Sequence, residues 1–242
     1  MFKEVKQSRA FEGVFTQIQE MILQGQIKAG DKLPSERQLQ ETFKVSRGTL
    51  REAFRSLEQR GLIRIKTGIT GGAIVCAIDT KGVSESLDLL LRYRKITLEE
   101  LAEFREEVEG LVAAKAAQKA SKVDKEQLNL RLMSIKNLLN ADVFDLHEIV
   151  KEDNTFHLFL TTITGNKIFE SVLSTVYENI YPYFDRFLPK DRSLMEKNYH
   201  DLCEIVDAIE KGDSKRAQVT MVSHIRYFNQ IMEKTHKVII GD

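Results

Sequence analysis

The sequence predicts a mainly α chain in two parts: a small basic unit that ends in a β-hairpin, and a larger unit that is helical throughout. Three observations carry this expectation. Apolar residues recur at helical spacing over most of the 242 residues. The one stretch with strand character, about 62–77, is divided by a glycine-rich tip. Charge is also unevenly divided: residues 1–78 hold 13 Lys and Arg against 8 Asp and Glu, a net +5, and the neutral total leaves −5 for the remainder. A basic unit on an acidic body points to a polyanionic partner for the first part.

The first apolar stripe is Phe11, Val14, Phe15, Ile18, Met21 and Ile22, which stops at Gly25. Turn residues follow as far as Pro34, and Ser35 is placed to cap a short helix that runs to about Thr42. Ser46 caps a third helix with Leu50, Phe54 and Leu57 on its core face, and Gly61 stands just past its end. Residues 62–66 and 73–77 read as two strands around the tip at Gly68–Gly72. Helix, short helix, turn, helix, hairpin is the order of a winged helix-turn-helix, expected over residues 1–77 with the helix-turn-helix at about 35–54 and the wing at 62–77.

In such a unit the third helix reads DNA. Arg47, Thr49 and Arg51 lie in its first turns, away from the core stripe, where a recognition helix offers side chains to the major groove. The planar fork of arginine suits guanine edges and phosphates. Arg37 in the second helix falls beside them, and Lys66 with the wing glycines is placed to follow the backbone. Each arginine taken singly could equally be solvated helix surface; the constellation favours DNA.

Leu33-Pro-Ser-Glu-Arg-Gln-Leu39, Val45-Ser-Arg-Gly-Thr-Leu-Arg-Glu-Ala53, Leu57-Glu-Gln-Arg-Gly-Leu-Ile63 and the Gly71-Gly72 wing resemble the GntR family of bacterial regulators, over about Phe11 to Val75. The resemblance implies DNA contacts at Arg37, Arg47, Thr49, Arg51, Gly71 and Gly72. Gly48, next to Arg47, leaves open which bases are read there.

Residues 78–82 are expected to be a linker and 83–242 an antiparallel all-α bundle of six or seven helices, with breaks near 95–97, Ser121, Asn140, Gly165-Asn166, Pro189 and Gly212-Asp213. Pro182 falls inside a helix and is expected to kink it. The informative feature is where ionisable residues interrupt apolar faces. One face reads Leu146, Val150, Asp153, His157, Leu160; another Ala217, Met221, His224, Phe228, Ile231; a third carries Arg105 among Leu101, Val108 and Val112. His200 lies at the margin of the Cys203, Val206, Ile209 face. His147 and His236 have no partners in the pattern.

Unpaired buried charge costs several kcal/mol per ion, so the economical arrangement gathers these groups in one polar cavity. Asp153, His157, His200 and His224 are a suitable donor set for a first-row divalent metal ion, zinc foremost and nickel, manganese or iron also accommodated. Arg105 nearby leaves excess positive charge for an anionic effector. Against this stand a core histidine bonded to a backbone carbonyl and an Arg105 that pairs with Glu109 one turn on.

Arg105-Glu-Glu-Val-Glu109, Asp153-x-x-Phe-His157, Gly165-Asn166, His200 ahead of Ile209-Glu-Lys-Gly-Asp213, and His224 resemble the FCD effector domain of FadR-like GntR regulators. That resemblance implies metal ligands at Asp153, His157, His200 and His224, and an effector carboxylate held at Arg105. It also implies a homodimer on a pseudo-palindromic DNA operator, and a small organic acid as effector. The presence of the histidines argues against the members that bind acyl-CoA.

Two other classes remain open on the residues: a DNA-tethered metal-dependent hydrolase, for which no general base is evident, and a regulator whose metal is purely structural. No apolar run approaches the ~20 residues of a membrane span and no signal core is present, so a cytoplasmic protein without membrane association is expected. Cys76 and Cys203 are far apart and suggest neither a disulfide framework nor a thiolate site.

Overall fold

The computed structural model describes residues 9–68, 71–77, 81–93 and 95–240, with backbone alone for 9, 81, 82, 185 and 236–240. The chain divides into two compact units, 1–82 and 83–242.

In the first unit α1 (Arg9–Leu23) is followed by α2 (Glu36–Phe43), α3 (Arg47–Gln59) and the strands β1 (Ile63–Lys66) and β2 (Gly72–Val75). The expected caps are in place. The Ser35 hydroxyl accepts from Gln38 N while the Gln38 side chain accepts from Ser35 N, a reciprocal box, and the Ser46 hydroxyl accepts from Thr49 N. Lys44 closes α2 in the left-handed region at φ 54°. The antiparallel β1–β2 pair runs from Ile63 opposite Val75 to Lys66 opposite Gly72. Residues 30–33 lie along its other edge through Leu33 N to Ala73 O and Val75 N to Asp31 O, both near 2.9 Å. One core unites Val14, Ile18 and Ile22 of α1 with Leu39, Leu50, Phe54, Leu57, Ile63 and Val75.

The wing requires glycine. A Cβ on Gly71 would meet Lys66 O at 2.4 Å and Gly68 O at 2.7 Å, and Gly72 sits at φ +140° against Lys32. Within the tip, residues 69 and 70 lie outside the described residues. Of the linker expected at 78–82, residues 78–80 also lie outside them, whereas Lys81 and Gly82 are already the first residues of a helix.

The second unit is formed by α4 (Lys81–Arg92), α5 (Leu98–Lys119), α6 (Lys122–Leu139), α7 (Leu146–Thr164), α8 (Lys167–Phe187), α9 (Arg192–Glu210) and α10 (Ser214–Ile240). The breaks come from side-chain caps at Thr97, Ser121, Asp145, Asn166 and Asp191, and from Gly165 in the left-handed conformation. α8 runs through Pro182 as a single helix. α5, α7, α9 and α10 pack around a core that includes Val112, Ile149, Phe156, Leu160, Leu202, Ile205 and Met221. α5 and α10 come together at Gly110, where a Cβ would lie 2.6 Å from Val222 Cγ2. That close approach sets the α5 residues Arg105 and Glu109 near the His224 level of α10. No helix among the described residues is long and apolar enough to cross a membrane.

Candidate metal centre and nucleic-acid interface

In the second unit the ionisable interruptions point inward. Arg105, Glu109, His157 and His224 are all at most 3% exposed. Asp153 Oδ2 is 3.7 Å from His157 Nε2 one turn along α7, and the His157 and His224 rings stack with centroids 5.3 Å apart. Asp153, His157 and His224 each offer a ligand atom, and those atoms all lie within 4.8 Å of one another.

His200 is not in this group. It is exposed, and its neighbours of ligand type are Asp201 and Glu204. The reason is helical phase: on α9 the inward side carries Asn198, Asp201, Leu202 and Ile205, and at 100° per residue His200 is turned off it. Asn198 and Asp201 are what α9 brings instead. Asn198 Nδ2 donates to Asp153 Oδ1 at 2.9 Å, and Asp201 Oδ2 is 3.5 Å from His224 Nδ1 while Lys197 holds both Asp201 oxygens. Neither residue was singled out in the sequence, although their i, i+3 spacing on the face of Leu202 and Ile205 is the signal that could have found them.

Arg105 does pair with Glu109, with Nε to Oε1 at 2.8 Å, and also donates to the Tyr177 hydroxyl at 2.9 Å; its guanidinium lies over the Tyr177 and Phe184 rings. Tyr177 in turn donates to Glu109 Oε2 at 2.7 Å. Burial pushes the Glu109 carboxyl up, but Arg105, His157 and Tyr177 outweigh it and hold the group down at about 2. The same burial drives the Tyr177 hydroxyl well above its ordinary range, so it stays protonated. Burial lowers His224 against the pull of Asp201, which keeps a neutral imidazole ready to ligate. Arg105, Asp153, Asn198 and His224 are the polar lining of a small cavity whose other walls are apolar, Phe184 and Phe228 among them.

These residues fit a divalent cation. His157 is buried, and neither ring nitrogen makes an aligned hydrogen bond, although Nδ1 lies only 2.6 Å from Glu109 Oε2. A buried imidazole left so is costly unless another partner completes it. Two imidazoles and a carboxylate are donors for zinc, nickel, iron or manganese. His147, by contrast, is occupied elsewhere, by the Tyr181 hydroxyl at 2.9 Å; the His236 side chain lies outside the described residues.

In the first unit the charged residues point outward. Arg37, Arg47, Gly48 and Arg51 are exposed near the N-terminal ends of α2 and α3, as is Lys66 on β1; Thr49 is half-buried with its hydroxyl 2.9 Å from Ser46 Oγ. Arg37 pairs with Glu41 at 3.2 Å and Arg47 with Glu36 at 3.4 Å, exposed contacts of the weak kind that a phosphate readily replaces. Gly48 is ordinary helix: a Cβ there would meet only Ser46 Oγ, at 3.7 Å.

Residues 11–70 match the family model described as bacterial regulatory proteins, gntR family, and residues 100–227 match the FCD domain. The HTH-type transcriptional regulator LutR of Bacillus subtilis is 28% identical over 88% of this chain and 96% of its own. The HTH-type transcriptional repressor NanR of Cronobacter sakazakii is 30% identical over 88% of this chain and 82% of its own. A Streptococcus agalactiae GntR structure superposes with a TM-score of 0.68 at 24% identity, covering 91% of this chain and 99% of that one, which shows the shared fold. The regulators of this family are not enzymes, which removes the hydrolase alternative. A winged helix-turn-helix followed by an FCD domain, matched over most of its length, makes this chain a GntR-family transcriptional regulator.

Proposed function

We propose that this regulator is a cytoplasmic homodimer that binds a pseudo-palindromic operator and is modulated by a small carboxylate at a metal site in its helical unit. The observation that carries the reading is the convergence of Asp153, His157 and His224, with Asp153 and His224 lining the same small cavity as Arg105. Those three side chains would hold the ion, and the ion would supply a positive, Lewis-acidic centre for an anion. Arg105 spends Nε on Glu109 and Nη2 on Tyr177, which would leave Nη1 for an anion in the cavity that Arg105 lines. The apolar walls would seat the carbon skeleton. The exposed Arg37, Arg47, Arg51 and Lys66, with the half-buried Thr49, would engage DNA, with Gly48, Gly71 and Gly72 allowing close approach of the backbone. Coupling of about 1–3 kcal/mol between the two sites would change operator affinity roughly 5- to 150-fold.

The test uses the full-length, zinc-loaded protein. Small mono- and dicarboxylates are screened by thermal shift, and each stabilising acid is then added to an anisotropy titration with DNA from upstream of the protein's own gene. At least one acid should raise the melting temperature and move operator affinity within that range, and Arg105→Lys should remove both effects while leaving metal content unchanged. DNA binding indifferent to every acid, with the metal needed only for folding, would instead support a structural ion.

A further inference from the structure

Each of the two histidines of the cluster has a carboxylate opposite its Nδ1. His157 Nδ1 faces Glu109 Oε2 at 2.6 Å, and Glu109 is gripped by Arg105. His224 Nδ1 faces Asp201 Oδ2 at 3.5 Å, and Asp201 is gripped by Lys197 at 2.8 Å. The third donor, Asp153, is held by the Asn198 amide. A carboxylate on one ring nitrogen fixes the tautomer and leaves the other for a cation, and such outer contacts raise ligand basicity.

We propose that Glu109 and Asp201 are positioning residues for the cation, setting Nε2 of His157 and of His224 as the coordinating nitrogens, and that α9 contributes Asp201 and Asn198 to the site in place of an imidazole from His200. The inference rests on the metal reading above and deepens it. Helical phase already excludes His200 from the inward side of α9, while Asn198 and Asp201 are 3% and 8% exposed and touch two of the three donors. The ion then has two imidazoles and one carboxylate from the protein, so at least one position of a four-coordinate ion is left for the effector. Arg105, through Glu109, joins the anion-binding side of the cavity to the basicity of His157.

Two measurements on the full-length protein test this. The first is histidine-selective ¹⁵N NMR of the protein with and without zinc. Two of the five imidazoles should show Nδ1–H with a zinc-shifted Nε2, and His200→Ala should delete a signal that zinc does not move. Three zinc-shifted imidazoles, His200 among them, or coordination through Nδ1, would overturn the proposal. The second is zinc affinity by competition with a chromophoric chelator. Asp201→Asn, close in shape to the original, should weaken binding about 10- to 100-fold, Asp201→Glu should recover part of it, and His200→Ala should leave it unchanged. If wild type and His157→Ala both fail to bind zinc, the metal reading falls and this inference with it; if wild type binds and His157→Ala does not, but Asp201→Asn matches wild type, only the positioning role falls.

Discussion

The two units place their functional charges in opposite ways. In the winged helix Arg37, Arg47 and Arg51 stand on the outside, on helices whose other face builds an apolar core; in the helical unit Arg105, Glu109, His157 and His224 lie within the core. The difference teaches where function and stability can be separated. Surface arginines can be removed with little effect on folding, whereas each buried charge is a partner that another buried group depends on.

The largest effect is expected where that dependence is strongest. Arg105→Ala leaves Glu109 buried without its cation and should cost about 3–5 kcal/mol in urea unfolding of the metal-free protein; a loss below ~1 kcal/mol would show that Tyr177 and His157 suffice to hold the carboxylate. Next, Gly110→Ala forces a Cβ against Val222 at the α5–α10 contact and should cost about 1–3 kcal/mol in the same experiment. On the other side of the comparison, Arg47→Ala and Arg51→Ala should each weaken operator binding by about 1–3 kcal/mol in a gel shift, with an unchanged melting temperature. A lower melting temperature with intact affinity would mean that these side chains serve the fold. The smallest effect belongs to Gly48→Ala. With open space around the new Cβ it should stabilise α3 by about 0.5–1 kcal/mol, while any loss of operator affinity would mark close approach of DNA to that backbone.

The same division explains what was legible in the sequence. Ser35, Ser46, Asn166 and Gly165 announce helix ends through local chemistry, so the element order could be read from spacing alone. Inward placement of Asp153, His157, Arg105 and His224 also followed from period, because each interrupts an apolar stripe. His200 shows the limit: by spacing it stands at the margin of the Cys203, Val206, Ile209 face, whereas the inward side of α9 carries Leu202 and Ile205, and at the edge of a stripe a rotation of one residue decides between core and solvent. Asp201 and Asn198 are passed over for the complementary reason: on a helix rich in polar residues, their i, i+3 spacing beside Leu202 and Ile205 is a weak signal. Contacts between distant helices, such as Tyr177 with Glu109, have no local signature.

The central claim is that Asp153, His157 and His224 share one cation, and anomalous diffraction from crystals of the zinc-loaded protein tests it most directly. The account predicts a single strong peak among these three side chains, about 2.0–2.2 Å from each ligand atom. A hollow without a peak, or a peak held instead by His200, Asp201 and Glu204, would contradict it.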